Sequence, residues 1–216
     1  MDTSRLDERH VMVKEQLEKR GIRHPWLLQA MLDIPRHLFI PPDDRDKAYA
    51  DGPLPIGSGQ TISQPYIVAS MIELVEPKSS HRVLEVGVGS GYSATVLSRL
   101  VGEVYGVERE GSLLAQAEKR FKELDVPNIH LKEGDGTLGW EDQAPFDAIL
   151  VAAAAPQIPK TLLGQLKTGG VMVIPVGKRN EQELVRVVKR SEGHFQEKVL
   201  YAVKFVPLIG QEGWDK

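Results

Sequence analysis

The hydrophobic positions change rhythm twice along the chain. Over residues 1–33 apolar residues recur at helical spacing: Leu6, Val13 and Leu17 share a stripe, Ser4 and Asp7 are placed to cap its start, and Gly21 to end it. A second helix is expected from Pro25 through Trp26, Leu27, Ala30 and Met31 to Ile34, stopping before Pro35. Residues 35–65 then lose all periodicity and carry Pro41-Pro42, Asp51-Gly52-Pro53-Leu54-Pro55 and Gly57-Ser58-Gly59. A long irregular stretch inside a compact chain is either disordered or functional. This one holds Phe39, Ile40, Tyr49, Leu54, Ile56 and Ile62, which favours an ordered, substrate-facing segment.

From residue 65 the texture alternates. Helices are expected at 65–75, 92–101, 112–124 and 159–166, and short apolar strands at 82–86, 103–108, 128–132, 146–151 and 170–175. This alternation defines an α/β fold, a doubly wound, mostly parallel Rossmann-like sheet covered on both faces. Residues 183–189 and 197–205 are β-rich, with Ser191-Glu192-Gly193-His194 between them and no helix, so an antiparallel hairpin closes one sheet edge. One domain is expected: residues 1–65 give helices and a substrate-facing segment, 66–180 a cofactor-binding core, and 181–216 the hairpin and tail.

Composition narrows this picture more than it extends it. With 41% hydrophobic and 26% charged residues, the 216-residue chain reads as ordinary and globular. A net charge of −3, with both signs interspersed, favours neither nucleic acid nor anionic lipid as a partner. Cysteine is absent, which excludes disulfides, thiol catalysis and Cys-ligated zinc. The six His lack metal-ligand spacing, so no metal is expected. The charged first twenty residues lack a signal peptide's apolar core and no run would span a bilayer, so a cytoplasmic monomer is expected.

The chemistry gathers at Val83-Leu84-Glu85-Val86-Gly87-Val88-Gly89-Ser90-Gly91-Tyr92, a strand entering a helix across the alternate glycines Gly87, Gly89 and Gly91. A dinucleotide fingerprint would need a small residue at position 92, where Tyr92 stands, and no Gly-Lys-Ser/Thr follows for a P-loop. Glu85 at the strand end would repel a pyrophosphate but suits a ligand with a cationic amino group. The E-x-G-x-G-x-G arrangement resembles the cofactor loop of class I S-adenosylmethionine-dependent methyltransferases. Glu108 ends the next strand and is placed to accept hydrogen bonds from ribose hydroxyls. After the third strand Asp135, followed by Gly136, is placed to accept one from an adenine amino group, although Asp-Gly alone is commonly just a turn.

The methyl acceptor has to be read elsewhere. The fourth strand ends in Val151-Ala152-Ala153-Ala154-Ala155-Pro156, with no Asn/Asp-Pro-Pro-Tyr/Phe clamp for an amine. Gly59-Gln60-Thr61-Ile62-Ser63-Gln64-Pro65 resembles the signature of protein-L-isoaspartate O-methyltransferases. The likeness continues through residues 83–92, 134–136, 146–149, 153–156, 166–170 and 205–208, nearly the whole chain. Two departures are visible: Val88 stands where many members carry a hydroxyl residue, and four alanines stand where three are expected.

That resemblance implies methylation of the free α-carboxylate of isoaspartyl residues in damaged proteins and peptides. S-adenosyl-L-methionine would be the donor and S-adenosyl-L-homocysteine the product. A carboxylate is already ionised at neutral pH, so no general base is required. Ser63 is implied at the active site as the hydroxyl that orients the acceptor, with Thr61 and Ile62 beside it; a cap on the helix at Pro65 is the lesser alternative and is compatible with that role. Val206, Pro207 and Leu208 are implied near the peptide, offering backbone groups as in strand addition. Open alternatives are a methyltransferase for a small carboxylate or hydroxyl and a non-catalytic cofactor-binding module. A serine hydrolase is weaker, because neither Ser63 nor Ser90 sits in Gly-x-Ser-x-Gly.

Overall fold

A computed structural model describes residues 4–215. Nine strands and six α-helices follow in the order α1 (Leu6–Val11), α2 (Pro25–Asp33), β1 (Leu54–Gly57), β2 (Gln60–Ile62), α3 (Pro65–Leu74), β3 (Arg82–Val86), α4 (Tyr92–Ser98), β4 (Glu103–Glu108), α5 (Gly111–Glu123), β5 (Ile129–Glu133), β6 (Phe146–Val151), α6 (Lys160–Gly164), β7 (Leu166–Lys178), β8 (Glu181–Ser191) and β9 (His194–Val203). Strands β3 to β9 form one seven-stranded sheet in the order β5-β4-β3-β6-β7-β8-β9. Pairing is parallel from β5 across to β7, and antiparallel where β8 and β9 close the edge.

Alternation along the strands explains why both faces are covered. Val83, Val104, Ala148, Leu150, Val171 and Val173 enter one core. Their neighbours Leu84, Tyr105, Ile149, Val151, Met172 and Ile174 enter the other. The first core also takes in the N-terminal residues Met12, Leu17, Leu27 and Met31 and the helix residues Ala94, Leu97, Ala117 and Phe121. The second is closed by Leu162 of α6 and by Leu208.

Several sequence-based expectations need adjusting. The first helix continues past Val11 as a π-helical stretch (Met12–Leu17) and a 3-10 turn (Glu18–Arg20), and Gly21 ends it with φ 98°. Arg5, not Ser4, stands at its N-cap, and Leu6 remains 39% exposed, so the apolar stripe starts further in. The stretch 35–65 is ordered: it forms two 3-10 turns (Arg36–Phe39 and Pro42–Lys47) and the β1–β2 hairpin. That hairpin turns through Gly57, Ser58 and Gly59, all at positive φ. Strand β7 outruns its expected bounds at both ends, starting at Leu166, which pairs with Phe146 of β6, and reaching Lys178, where β8 pairs along its second half.

The strand order reverses direction at β3, which has β4 on one side and β6 on the other. In an open α/β sheet such a switch point leaves a crevice beyond the carboxyl ends of the strands. The glycine loop, the β4 end and the β6 end all open there.

Candidate active site

A cleft lies over this switch point. The glycine loop forms its floor, with Gly87, Gly89 and Tyr92 lining it. The three glycines adopt φ of 85°, 54° and 86°. At Gly91 a Cβ would stand 2.7 Å from the Phe121 ring, and at Gly89 it would meet Ile56 Cδ1 at 3.2 Å. The β1–β2 hairpin therefore packs directly onto the loop, burying Ile56.

Glu85 lines the cleft, is completely buried, and neither carboxylate oxygen has a hydrogen-bond partner among the described residues. Burial raises its pKa from 4.5 to about 8; the nearby Ser93 hydroxyl opposes the rise and Glu108 adds to it. An unpaired buried carboxyl is costly unless a ligand cation meets it. Here the chain supplies none.

Glu108 is 6% exposed and also lines the cleft. Its Oε2 accepts the Gly89 N–H at 2.8 Å, and Oε1 accepts the N–H groups of Arg109 (2.8 Å) and Glu110 (2.9 Å). A carboxylate has about four lone-pair sites, so three backbone bonds leave room for one ligand hydroxyl.

Asp135 stands differently from the expectation. It caps the 3-10 turn Gly136–Leu138: Oδ1 accepts the Thr137 N–H (2.8 Å) and hydroxyl (2.7 Å), while Oδ2 accepts the Gln211 N–H at 2.7 Å. It does not line the cleft; Gly136 does, and a Cβ there would fall 2.4 Å from Val86 Cγ1. The carboxylate anchors the C-terminal tail, and Gly136 and Ile209 line the cleft beside it.

Thr61, Ile62 and Ser63 reach the cleft from the opposite side, as the end of β2 and its exit into α3. Helix α3 takes Gln64 as its N-cap with no side-chain capping bond, so Ser63 is not spent as a cap. A second groove runs from Pro53 and Ile67 to Lys204 and Phe205 and shares Thr61, Ser63, Ala152 and Val206 with the cleft. The two cavities meet at Ser63.

Val206, Pro207 and Leu208 also line the cleft, but part of their backbone is already paired. The Val206 carbonyl accepts the Ala154 N–H at 2.8 Å, and Leu208 N–H donates to the Ala154 carbonyl at 2.8 Å. Strand geometry points the Pro207 carbonyl to the opposite edge. The Leu208 carbonyl accepts the Trp214 N–H at 2.7 Å, so the Val206 N–H and the Pro207 carbonyl are the groups left over among the described residues.

Two arginines were not anticipated. Arg36 is fully buried; its Nε donates to the Ala48 carbonyl at 2.9 Å and its Nη2 to the Ser63 carbonyl at 2.7 Å. Arg120 donates Nε to the Leu38 carbonyl (3.2 Å) and Nη1 to the Ser90 carbonyl (3.1 Å), tying the N-terminal segment to the glycine loop. The only hint of Arg36 in the sequence is a charged pair, Arg36-His37, inside the otherwise apolar run Ile34 to Ile40.

Switch-point cleft, acidic strand ends and positive-φ glycine turn together define a class I methyltransferase. Residues 7–213 match the family described as protein-L-isoaspartate(D-aspartate) O-methyltransferase (PCMT). The chain is 54% identical over 213 residues to a protein-L-isoaspartate O-methyltransferase of Pelotomaculum thermopropionicum, covering 99% of this chain and 93% of that one. It is 52% identical to one of Methanoregula boonei, covering 98% and 97%. A solved protein-L-isoaspartate O-methyltransferase structure superposes with a TM-score of 0.86 at 29% identity, covering 95% of this chain and 67% of that one. A Plasmodium falciparum structure described as a PCMT in complex with S-adenosyl-L-homocysteine superposes at 0.79 and 26% identity, covering 94% and 98%. The chain belongs to the protein-L-isoaspartate O-methyltransferase family.

Among the described residues no group of three or more His, Asp or Glu is arranged to hold a metal ion, and no helix is long and apolar enough to cross a membrane.

Proposed function

We propose that this chain methylates the free α-carboxylate of L-isoaspartyl residues in damaged proteins and peptides. The ester then collapses to a succinimide, from which hydrolysis returns some normal aspartyl linkage. One observation carries the reading: Ser63, with a hydroxyl not used as a cap, stands where the glycine-loop cleft meets a second, open groove.

The two unpartnered oxygens of Glu85 fit the cationic amino group of S-adenosylmethionine, and Glu108 fits its ribose. When bound, that group supplies a methyl made electrophilic by a sulfonium leaving group. The acceptor carboxylate forms the new O–C bond as the C–S bond breaks, and the electron pair of that bond stays on sulfur. No proton has to move, which agrees with a cleft that presents Ser63 and Thr61 but no histidine. Ser63 and Thr61 donate hydrogen bonds that aim one carboxylate oxygen. Ile62, Val68 and Val88 keep water out. Alignment of this kind contributes roughly 7–11 kcal/mol to bimolecular reactions.

Labelled methyl transfer to an isoaspartyl peptide, against its normal aspartyl twin and against small carboxylic acids, tests the reading. Label is expected on the isoaspartyl peptide alone. Transfer to the small acids with none to the peptide would replace the acceptor.

A further inference from the structure

Arg36 has no exposed surface, and among the described residues no carboxylate pairs with it. Its partners are the carbonyls of Ala48 and Ser63 and the Tyr92 ring, whose centroid lies 5.0 Å from Cζ. Nη1 is buried and has no hydrogen-bond partner. Carbonyls and an aromatic face offer only partial charge, so the positive charge is not neutralised. Burial lowers its pKa only to about 10, so Arg36 is a cation at neutral pH.

Glu108, with Arg109 next to it, and Glu85, which burial holds mostly protonated at pH 7, line the cleft beside the glycine loop. Lys204 lines the neighbouring groove, and Arg36 is the buried cation, one hydrogen bond behind Ser63. Positive potential in a water-poor site is felt over several ångströms, since little solvent screens it.

We propose that Arg36 is a positioning residue whose uncompensated charge, held against the Ser63 backbone, draws the acceptor carboxylate to Ser63. The inference rests on the reading that the acceptor is a carboxylate. It has a kinetic signature. Transfer joins an anion to a cationic sulfonium and both charges disappear, so positive potential stabilises the bound acceptor more than the transition state. Loss of the charge therefore appears as a higher KM for the peptide, with kcat unchanged or slightly raised.

The experiment compares R36Q and R36K with the wild-type chain, measuring kcat and KM for an isoaspartyl peptide and Kd for S-adenosylhomocysteine. R36Q is expected to raise KM by about tenfold or more with kcat within about threefold, and R36K, which keeps the charge, to restore KM to within about threefold. S-adenosylhomocysteine affinity stays unchanged in both. An unchanged KM in R36Q, or equal damage in R36K and R36Q, overturns the proposal. Should R36Q fail to fold, Ser63→Cys reads the potential with Arg36 intact, because the chain has no other thiol. The introduced thiol is expected to titrate below its ordinary value of about 8.5, and titration at or above that value overturns the proposal. This readout needs no methyl transfer. A chain that methylates no isoaspartyl peptide yet keeps an acidic thiol loses its acceptor assignment and not its charge device.

Discussion

The Glu108 carboxylate accepts the Gly89 N–H at 2.8 Å, joining the end of β4 to the middle of the glycine loop. The same carboxylate takes the next two backbone N–H groups of its own chain. One side chain thereby shapes the turn and still lines the cleft, so its loss is expected to affect both folding and cofactor binding.

Glu108→Gln puts an amide NH2 against one of these backbone donors. Leaving a buried donor unmet costs about 1–3 kcal/mol. S-adenosylhomocysteine binding by calorimetry is expected to weaken about tenfold, with a lower Tm. Unchanged affinity would remove Glu108 from the cofactor site.

Ser63→Ala removes a hydroxyl that caps nothing, so thermal stability is expected to hold. A hydrogen bond to a charged acceptor contributes about 1.5–3 kcal/mol, which corresponds to a loss of roughly 10–100-fold in kcat/KM for an isoaspartyl peptide. S-adenosylhomocysteine affinity should stay within about twofold. Full turnover in this variant would leave Ser63 without a role in aiming the acceptor.

Glu85 gives a pH signature. Its folded pKa of about 8 lies above the ordinary 4.5, so its contribution to stability is complete below 4.5 and disappears as pH rises through 8. The Tm of the ligand-free chain should fall over that window, and Glu85→Gln should flatten the fall. A cationic amino group reverses the preference. At pH 7, S-adenosylhomocysteine binding should therefore release about one proton, read by calorimetry in buffers of different ionisation enthalpy. Glu85→Gln should release none. Proton release that persists in the variant would place its source elsewhere.

Gly91→Ala sets a Cβ 2.7 Å from the Phe121 ring at a φ of 86°. Backbone strain and overpacking together predict destabilisation of about 2–4 kcal/mol, measured by denaturant unfolding. Because Phe121 belongs to α5, Phe121→Leu in the same chain should recover part of the loss. No recovery would assign the whole cost to the backbone.

The sheet was legible because its signals are local. Strand β3 runs into three spaced glycines, and Glu85 and Glu108 end neighbouring strands, so each could be placed from a few adjacent residues. Residues 35–65 were less so, since β1 and β2 are four and three residues long and are held by Arg36, Ile56 and Ile62 reaching across the chain. Arg36 donates to Ser63, 27 positions away, and Asp135 accepts from Gln211, 76 positions away. Spacing along a sequence does not encode such partners. Asp135 reads from the sequence as an adenine acceptor, with a plain turn as the alternative; in the structure one oxygen caps that turn and the other is taken by a tail that only the folded chain brings near.

The pairing of residues 206–208 with Ala154, secured by the Trp214 Nε1–H bond to the Ala154 carbonyl at 3.1 Å, sets an order of events during translation. Thr61, Ser63 and the glycine loop emerge from the ribosome well before the wall that completes the cleft. A nascent or prematurely terminated chain that stops short of Leu208 therefore carries the donor loop without a closed site. Catalytic competence arrives only once residues 206–214 have been made.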